Sequence, residues 1–499
     1  MLYAGFDCST QSLSVVVVDV SGSRRDVVFR DSLTFDDDLP GFQSRHGVTL
    51  REDDGSVHTN PLLWSTALEV MLARLSQGVD ARRIRGISGS AQQHGSVYCG
   101  ATPEVLTRPT SPVWMDSSTL RECEEIEAAV GGSRALAQLT GSAAFPRFTG
   151  PQIRRFARTD PDAYDRTDRI HLVSSYLASM LIGAHAPIDH ADGSGMNLMD
   201  IRTRRWADEA LDATAPRLRE KLGPLVPSST VIGTLAEGWQ SRFGLPAAAI
   251  VAWSGDNPCS LVGSGLVVEG QLGISLGTSD TIFGPMPQPR ISADGTGHVF
   301  ASPTGEYMGI TVFRNGSLAR ERIRDRFGLD WAGFSAALRT TPAGNDGALM
   351  LPWFEPEITP LVSSPRPVET GFRDDRPARY VRAIVEAQMM ALAAHSRWMG
   401  VAPSTISATG GAAANREILQ IMADVFDAAV SRFESTDSAA LGAALRAWQA
   451  DTGLPWLEIT RPFVRSSASP IVPVESNVTI YKALQPRYSA LERAALSGW

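Results

Sequence analysis

The chain has 499 residues, 43% of them hydrophobic and 20% charged, a globular composition that excludes a disordered or fibrous protein. Its 46 Lys and Arg residues against 54 Asp and Glu residues give a formal net charge of −8, which disfavours a nucleic-acid or anionic-membrane partner. No apolar stretch is long enough to span a bilayer and Asp7 interrupts the first apolar run, so we expect a cytoplasmic protein without a signal peptide.

The first twenty residues predict a β-hairpin with a small polar tip. Residues 2–6 and 13–18 are apolar strands, and the loop 7–12 between them carries Asp, Ser, Thr and Gln. The spacing of apolar residues then predicts, in chain order, a helix over 61–75, a strand over 84–87, helices over 121–130 and 170–181, and a buried strand over 250–253.

A second hairpin of the same design begins at residue 272, with a polar tip at 277–281. After it the pattern predicts a helix over 379–398, a strand over 406–409 and helices over 417–426 and 439–448, and we expect the proline-containing tail after Asp451 to run over the surface. The recurrence predicts two α/β domains of related build, which we divide at Pro246 into residues 1–246 and 247–499.

The two hairpin tips are candidate phosphate-binding loops. Thr10 and Gln11 in the first tip, and Gly277 and Thr278 in the second, offer backbone amides and hydroxyls to phosphate oxygens, while Asp7 can hold Mg²⁺ through water. Each tip taken alone also suits an ordinary polar turn. The sequence has no GxxxxGK[ST] motif and only two lysines, so a nucleotide site here needs a design other than the P-loop.

Three further positions are candidates for chemistry. Asp256 follows the predicted strand 250–253, where α/β folds place catalytic groups, although an Asp there also suits a helix cap. His94 follows the strand 84–87 and suits a polyhydroxylated ligand or a structural role. Arg147 lies between two phenylalanines, as a substrate clamp or as a stacked surface side chain.

Two loops contain glycines in suggestive patterns. Gly410 and Gly411 separate a predicted strand from a helix that opens near Asn415, which lets a ligand approach the backbone or simply marks a turn. Residues 192–197 imitate the start of a calcium loop but lack the closing glutamate, so we reject an EF-hand.

Together these motifs resemble the FGGY carbohydrate kinases, and within them the xylulokinases of the animal type. The resemblance covers nearly the whole chain and rests on residues 4–11, 92–96, 112–118, 192–197, 255–258, 275–281 and 408–415. It implies a duplicated, actin-like (ribonuclease H-like) α/β fold with ATP bound in the cleft between the domains. It also implies ATP-dependent phosphorylation of a ketopentose, D-xylulose above all, with Mg²⁺. For the oligomeric state we expect a monomer or homodimer.

Roles carry over residue by residue from this resemblance. Asp256 corresponds to the catalytic base, and the sugar contacts correspond to His94, Arg147, Asp256 and Asn257. The nucleotide contacts correspond to Trp331, Gly410, Gly411 and Asn415, with Thr10 and Thr278 near the phosphates and Asp7 near Mg²⁺. The alternatives are a kinase for a ribulose, a heptulose or a pentitol, a non-catalytic sugar- and nucleotide-binding regulator, and an ATPase that acts on protein partners.

Overall fold

The computed structural model describes residues 1–22, 25–293, 295–433, 437–464 and 469–498. Its centre consists of two mixed β-sheets, one built from the first half of the chain and one from the second. The strands of the first sheet are β1 (Leu2–Cys8), β2 (Ser12–Asp19), β3 (Asp26–Thr34), β4 (Ile84–Ala91), β5 (Val231–Thr234), β6 (Ala249–Val251) and β7 (Ser254–Gly255).

The first sheet has the order β5-β6-β4-β1-β2-β3, and β7 also pairs with β4. The strands β1, β2 and β3 form an antiparallel meander, whereas β4 and β6 add parallel strands beside β1. Every residue of β1 except Asp7 is buried, because helices cover both faces of this sheet.

The second sheet repeats this arrangement. Its strands are β8 (Gln271–Leu276), β9 (Asp280–Met286), β10 (His298–Ala301), β11 (Tyr307–Phe313), β12 (Thr405–Thr409) and β13 (Ala429–Arg432). Their order is β10-β11-β9-β8-β12-β13, with β8, β9 and β11 antiparallel and β12 and β13 parallel to β8. Each half therefore begins with antiparallel strands, three in the first sheet and four in the second, to which parallel strands are added, in agreement with the predicted duplicated α/β fold.

Long helices cover the two sheets. Those of eight or more residues are α1 (Pro61–Gly78), α2 (Leu120–Val130), α3 (Ser133–Thr140), α4 (Thr149–Thr159), α5 (Val173–Ile182), α6 (Asp256–Gly263), α7 (Ser317–Arg326), α8 (Trp331–Thr340), α9 (Pro377–His395), α10 (Arg416–Phe426), α11 (Ser438–Thr452) and α12 (Glu475–Ser497). Shorter helices are Phe35–Asp38, Pro161–Arg166, His190–Gly193, Asp208–Thr214, Leu218–Lys221, Glu237–Phe243 and Trp456–Thr460. None of the described helices combines the length and the apolar character needed to cross a membrane.

Small sheets lie outside the two large ones. They pair Leu50–Arg51, Val57–Thr59 and Ser111–Pro112 in one sheet, and Ser96–Cys99 with Arg169–Leu172, Ile188–Asp189 with Leu225–Val226, Met199–Asp200 with Arg205–Trp206, and Leu349–Leu351 with Val368–Thr370 in the others. Most of them belong to the insertion between β4 and β5, which carries His94 and Arg147, two of the four candidate sugar-binding residues.

Helix α11 belongs to the second half of the chain but packs on the first sheet. Its apolar face joins Tyr3, Val16 and Val18 in one buried cluster. It crosses α6 at very close range, because a Cβ on Gly442 would clash with the carbonyl of Cys259. Arg446 is fully buried and donates to the carbonyls of Ala252 (2.6 Å), Ser228 (2.9 Å) and Gly89 (3.2 Å).

The division of the chain at residue 246 stays a prediction. The strands at residues 249–255, which follow that position, pair with β4 of the first sheet. Helix α11 likewise lies on the first sheet although it comes much later in the chain.

Two predicted elements are wrong. Residues 170–181 were predicted to be one helix, but Arg169–Leu172 is a strand and the helix α5 begins at Val173. A buried apolar run suits either a strand or a helix, and the change from one to the other is marked by the Ser175 hydroxyl, which accepts from the amide of Leu172 (3.0 Å).

The second wrong prediction is that the tail after Asp451 runs over the surface. The tail ends in the helix α12, whose Tyr481, Leu484 and Tyr488 are buried in the second core. Pro486 inside the helix disguises this pattern in the sequence.

Candidate active site

Asp256 lies at the carboxyl end of the first sheet. The strand β7 pairs in parallel with Ser90 and Ala91 of β4, and Asp256 follows β7 directly as the first residue of α6. The backbone amide of Asn257 donates to Oδ1 of Asp256 (2.8 Å), and the side-chain amide of Asn257 lies 3.2 Å from the same oxygen. This pairing fixes the carboxyl group at the edge where α/β sheets bind ligands.

Burial, together with the nearby charge of Asp7, raises the pKa of Asp256 to about 7, against the backbone hydrogen bond from Asn257. The carboxyl group therefore exchanges its proton near neutral pH, which suits a general acid or base.

Asp7 occupies the end of β1, opposite Ser90 of β4. Burial raises the pKa of Asp7 to about 6, although the nearby hydroxyl of Ser90 opposes this effect. Its Oδ1 atom is buried and has no hydrogen-bond partner among the described residues. A carboxylate oxygen left in this condition is a group that a bound cation or its water can satisfy.

His94 lies in the loop after β4 and has a backbone φ of +74°, which is unusual for a residue other than glycine. Its Nδ1 atom is 2.9 Å from the carbonyl oxygen of Gly195, and its ring packs 4.4 Å from the ring of Phe148. Burial and the charge of Arg147 lower the pKa of His94 to about 3, so the ring is neutral. Since Nδ1 must donate to the carbonyl, Nε2 is the acceptor.

Arg147 and Asn257 lie near His94 on different elements. The Arg147 guanidinium lies over the rings of Phe145 (5.2 Å) and Phe148 (5.6 Å), and burial lowers its pKa. The Asn257 side chain donates to Oε1 of Gln93 at 2.9 Å, which ties the start of α6 to the loop that carries His94. The structure thus brings His94, Arg147, Asp256 and Asn257 into one cluster, with Asp7 close enough to interact with Asp256.

A separate cavity of about 600 Å³ lies in the second half of the chain. Its lining includes most of the residues predicted to contact a nucleotide: Gly277, Thr278, Trp331, Gly411 and Asn415. The Asn415 side chain caps α10 by accepting from the amides of Glu417 and Ile418, and its amide donates to the hydroxyl of Ser335 at 2.7 Å. Trp331 is 45% exposed, and the Arg324 guanidinium lies 4.5 Å from its ring centroid.

Gly410 shapes the entrance to helix α10. Its φ of +87° lies in the region that favours glycine, and a Cβ here would clash with the carbonyl of Leu276. A Cβ on the next residue, Gly411, would meet nothing within 4 Å, so this side of the turn is open.

The first phosphate-loop candidates lie apart from this cavity. Thr10, Gln11 and Asp7 are not among its lining residues. The Trp114 indole donates to the Thr10 hydroxyl at 2.8 Å, and the Gln11 side chain is exposed. The structure therefore presents two groups of candidate residues, one around Asp256 and one around Gly411.

Several buried polar residues near these groups escaped the sequence analysis as site residues. Gln93 was visible within the Gln-Gln-His-Gly motif. Asp192 lies in the rejected calcium-like segment; burial and neighbouring carboxylates, including Asp256, raise its pKa well above the usual range, and its Oδ1 has no partner among the described residues. Arg320 lines the nucleotide-side cavity and forms a buried two-fold ion pair with Asp280 (2.8 and 3.1 Å). His298 comes from the second sheet, and no sequence signal pointed to it.

The described residues contain no group of three or more His, Cys, Asp and Glu side chains able to hold a metal ion. A cation at Asp7 would therefore need most of its ligands from water or from a bound substrate. Mg²⁺ commonly binds in this way, through one or two carboxylates together with substrate phosphates.

Sequence profiles of one family match both halves of the chain. The N-terminal domain of the FGGY family of carbohydrate kinases matches residues 2–263, and its C-terminal domain matches residues 272–450. The chain is 41% identical to a xylulose kinase of Mus musculus, over 99% of this chain and 94% of that protein. It is 40% identical to xylulose kinase 2 of Arabidopsis thaliana, over 89% of this chain and 86% of that protein.

Solved structures show the same fold. A xyloylose kinase from Brucella ovis superposes with a TM-score of 0.82 at 24% identity, covering 100% of both chains. A glycerol kinase from Plasmodium falciparum, crystallised with ADP, gives a TM-score of 0.81 at 17% identity, over 99% of this chain and 98% of that one.

Proposed function

The chain belongs to the FGGY family of carbohydrate kinases, and we propose that it transfers the γ-phosphoryl group of ATP to D-xylulose, giving D-xylulose 5-phosphate and ADP. The position of Asp256 carries the proposal for the chemistry. This carboxyl group ends a strand of the first sheet, is held by Asn257, and exchanges its proton near neutral pH. The choice of D-xylulose rests on the relatives named xylulose kinase that match nearly the whole chain.

Asp256 acts as the general base. As the sugar 5-hydroxyl oxygen bonds to the γ-phosphorus, its proton passes to the Asp256 carboxylate, and the bond between the γ-phosphorus and the bridging oxygen breaks to release ADP. Asn257 holds Oδ1 of Asp256 and so fixes which way the other oxygen faces. A base of this kind contributes about 10²–10⁴-fold to the rate, and positioning of the two substrates supplies most of the remainder.

The sugar binds beside Asp256. The unpaired Nε2 of His94 accepts a hydrogen bond from a sugar hydroxyl, because the ring is neutral and its Nδ1 proton is held by Gly195. Arg147 donates to sugar oxygens, and Asn257 contacts a hydroxyl near the reacting carbon. These contacts fix the ketose so that only its terminal hydroxyl meets the phosphoryl group.

The nucleotide binds in the cavity of the second half. Trp331 stacks on one side of the adenosine, Asn415 hydrogen-bonds to it, and the open backbone at Gly410 and Gly411 lets it approach the turn. The tips of the two hairpins hold the phosphates, through Gly277 and Thr278 on one side and Thr10 and Gln11 on the other. Closure of the cleft brings the two groups of residues together and excludes water, which otherwise competes with the sugar as acceptor.

The residues present fit a Mg²⁺ ion at Asp7. The buried, unpartnered Oδ1 of Asp7 is the oxygen that would hold the ion or one of its waters. When bound with ATP, Mg²⁺ neutralises charge on the phosphates and orients them. Asn257 holds only Oδ1 of Asp256, so the other carboxylate oxygen remains free to take the proton.

We also propose a cytoplasmic protein, a monomer or homodimer, with one active site between residues 1–246 and 247–499. The proposal includes no nucleic-acid partner, because a net charge of −8 disfavours binding to a polyanion.

The test is an ADP-release assay with a panel of acceptors: D-xylulose, D-ribulose, sedoheptulose, xylitol and D-arabinitol, with a no-sugar control. We expect the highest kcat/KM for D-xylulose, with the phosphate on C5 by NMR of the product. A higher kcat/KM for another acceptor refutes the assignment of D-xylulose as the substrate. ADP release that does not depend on sugar overturns the kinase in favour of an ATPase, and sugar binding without turnover favours a regulator.

A further inference from the structure

The strand β10 of the second sheet is docked onto the first half of the chain. The amide of Val299 donates to the carbonyl of Gly141 at 3.0 Å, and the amide of Ala301 donates to the hydroxyl of Ser194 at 3.0 Å. One turn further on, Arg204 of the first half donates to the carbonyl of Gly305 at 2.7 Å. These contacts fix the strand and the turn after it against the insertion between β4 and β5, which carries His94 and Arg147.

The first residue of this strand, His298, reaches Arg147. Its Nε2 atom is 3.4 Å from Nη2 of Arg147, and its Nδ1 atom is 3.3 Å from the hydroxyl of Ser142. The ring lies 4.9 Å from that of Phe145 and 5.6 Å from that of Phe148, and His298 is only 2% exposed. The Arg147 guanidinium is thus held by two phenyl rings and one imidazole.

The chemistry of this contact fixes the tautomer of His298. Burial and the charge of Arg147 lower the pKa of His298 well below its usual range, so the ring is neutral. Arginine can only donate, so the nitrogen that faces it must accept. The Nδ1 atom of His298 therefore carries the proton and donates to Ser142.

A neutral acceptor leaves Arg147 able to bind a ligand. No carboxylate of the described residues contributes to the pKa of Arg147, which only burial shifts. A carboxylate would pair with two N–H groups at once and neutralise the guanidinium, whereas an imidazole takes one and leaves the charge and the other donors unused. A partly buried arginine in this condition calls for oxygen acceptors from a ligand.

We infer that His298, supplied by the second half of the chain, is a positioning residue that aims Arg147 at the oxygens of the sugar. The inference rests on the proposed function. It means that the sugar pocket is completed by a strand of the half that binds the nucleotide. It also predicts that sugar affinity depends on the hydrogen-bond acceptor at position 298 rather than on the shape of the ring.

Variants at position 298 separate the effect of the hydrogen-bond acceptor from the effect of the ring's shape. His298→Phe keeps a ring but removes the acceptor, His298→Gln keeps an acceptor, and His298→Glu offers a carboxylate that captures Arg147. We expect H298F to raise the Kd and KM for D-xylulose about tenfold to a hundredfold, the range for a hydrogen bond to a charged group. We expect kcat to change less than about threefold and the KM for ATP to stay unchanged, since Arg147 acts in binding.

H298Q should stay within about threefold of the unmodified protein, and H298E should bind the sugar more weakly than H298Q. The matched control is His395→Gln, because His395 also lies in the second half but pairs with Glu492 on α12. H395Q should leave the sugar Kd unchanged. If H298F does not fold, the comparison of H298Q with H298E decides the question alone, and equal sugar affinities for these two overturn the inference.

A double-mutant cycle tests whether His298 acts through Arg147. In the background of Arg147→Met, H298F should weaken sugar binding by less than about twofold further. A full additional loss in that background indicates a merely structural role and overturns the inference, as does an unchanged Kd for H298F alone. Calorimetry with D-xylulose on the unmodified protein keeps the two proposals apart: absence of sugar binding there refutes the proposed function, whereas normal binding and turnover with insensitive variants refute only the role of His298.

Discussion

Replacing Asp256 with Asn should make the protein more stable at alkaline pH while it removes most of the activity. Burial raises the pKa of this carboxyl group from its usual 3.8 to about 7 in the folded protein. A group whose folded-state pKa is raised in this way takes up a proton more readily when folded than when unfolded. The folded state therefore loses stability as the pH rises from about 4 to about 7, and the loss is complete above pH 7.

The size of this effect follows from the pKa values. At 1.36 kcal/mol for each pKa unit, the raised pKa of Asp256 lowers the free energy of unfolding, relative to its value at low pH, by about 4 kcal/mol at pH 8 and about 1.5 kcal/mol at pH 5. Asn has the same shape, cannot ionise, and can still accept from the amide of Asn257. Asp256→Asn should therefore be more stable than the unmodified protein by a margin that grows about 2–3 kcal/mol between pH 5 and pH 8.

The assay is thermal or chemical unfolding of both proteins without ligands, at several pH values from 5 to 8. Asp162→Asn, on the exposed first turn of the helix Pro161–Arg166, is the matched control and should show a difference that does not change with pH. The same Asp256→Asn protein should bind ATP normally and lose about 10²–10⁴-fold in kcat. A stability difference that is constant with pH, or a variant that is less stable at pH 8, would refute the reasoning about burial.

Three further predictions concern the same groups of residues. The kcat/KM for the sugar should fall about tenfold per pH unit below about 7, as Asp256 becomes protonated in the free enzyme, and a profile that stays flat down to pH 5 would contradict this assignment. Gly410→Ala should lower the free energy of unfolding by more than about 1 kcal/mol, because residue 410 has a positive φ and a Cβ there would clash with the Leu276 carbonyl. Gly411→Ala should change it by less than about 0.5 kcal/mol, and equal effects of the two substitutions in unfolding experiments would contradict the argument. Trp331→Ala should raise the KM for ATP about tenfold and leave the KM for the sugar unchanged in initial-rate measurements, and a change in the sugar KM instead would place Trp331 outside the nucleotide site.

The sequence predicted the elements whose signals are local. The two hairpins stand out because alternating or continuous apolar runs flank polar tips at Asp7 and Thr278, and the structure places strands there. The position of Asp256 also followed from a local rule, since the residue comes at the end of a buried strand. Gly277 and Thr278 were predicted from the second hairpin tip, whereas Trp331, Gly411 and Asn415 were assigned to the nucleotide by family resemblance. The structure gathers all five around one cavity.

The features that escaped depend on contacts between distant parts of the chain. His298 is 151 residues from Arg147, and the two meet only because β10 docks onto the first half of the chain. Asp280 and Arg320 pair across 40 residues beneath the second hairpin tip, where each alone looks like an ordinary loop or helix residue. The helix α12 was missed because Pro486 interrupts a pattern that tertiary packing sustains.

The position of α11 has a consequence for how the protein is made. The helix covers Tyr3, Val16 and Val18, and its buried Arg446 donates to the carbonyls of Gly89 and Ala252 at the first sheet. During synthesis on the ribosome, this surface of the earliest strands must stay uncovered until residue 452 has emerged. A nascent chain that ends before that point exposes an apolar surface and should bind chaperones. In the complete protein, the two halves should unfold in one cooperative transition rather than one after the other.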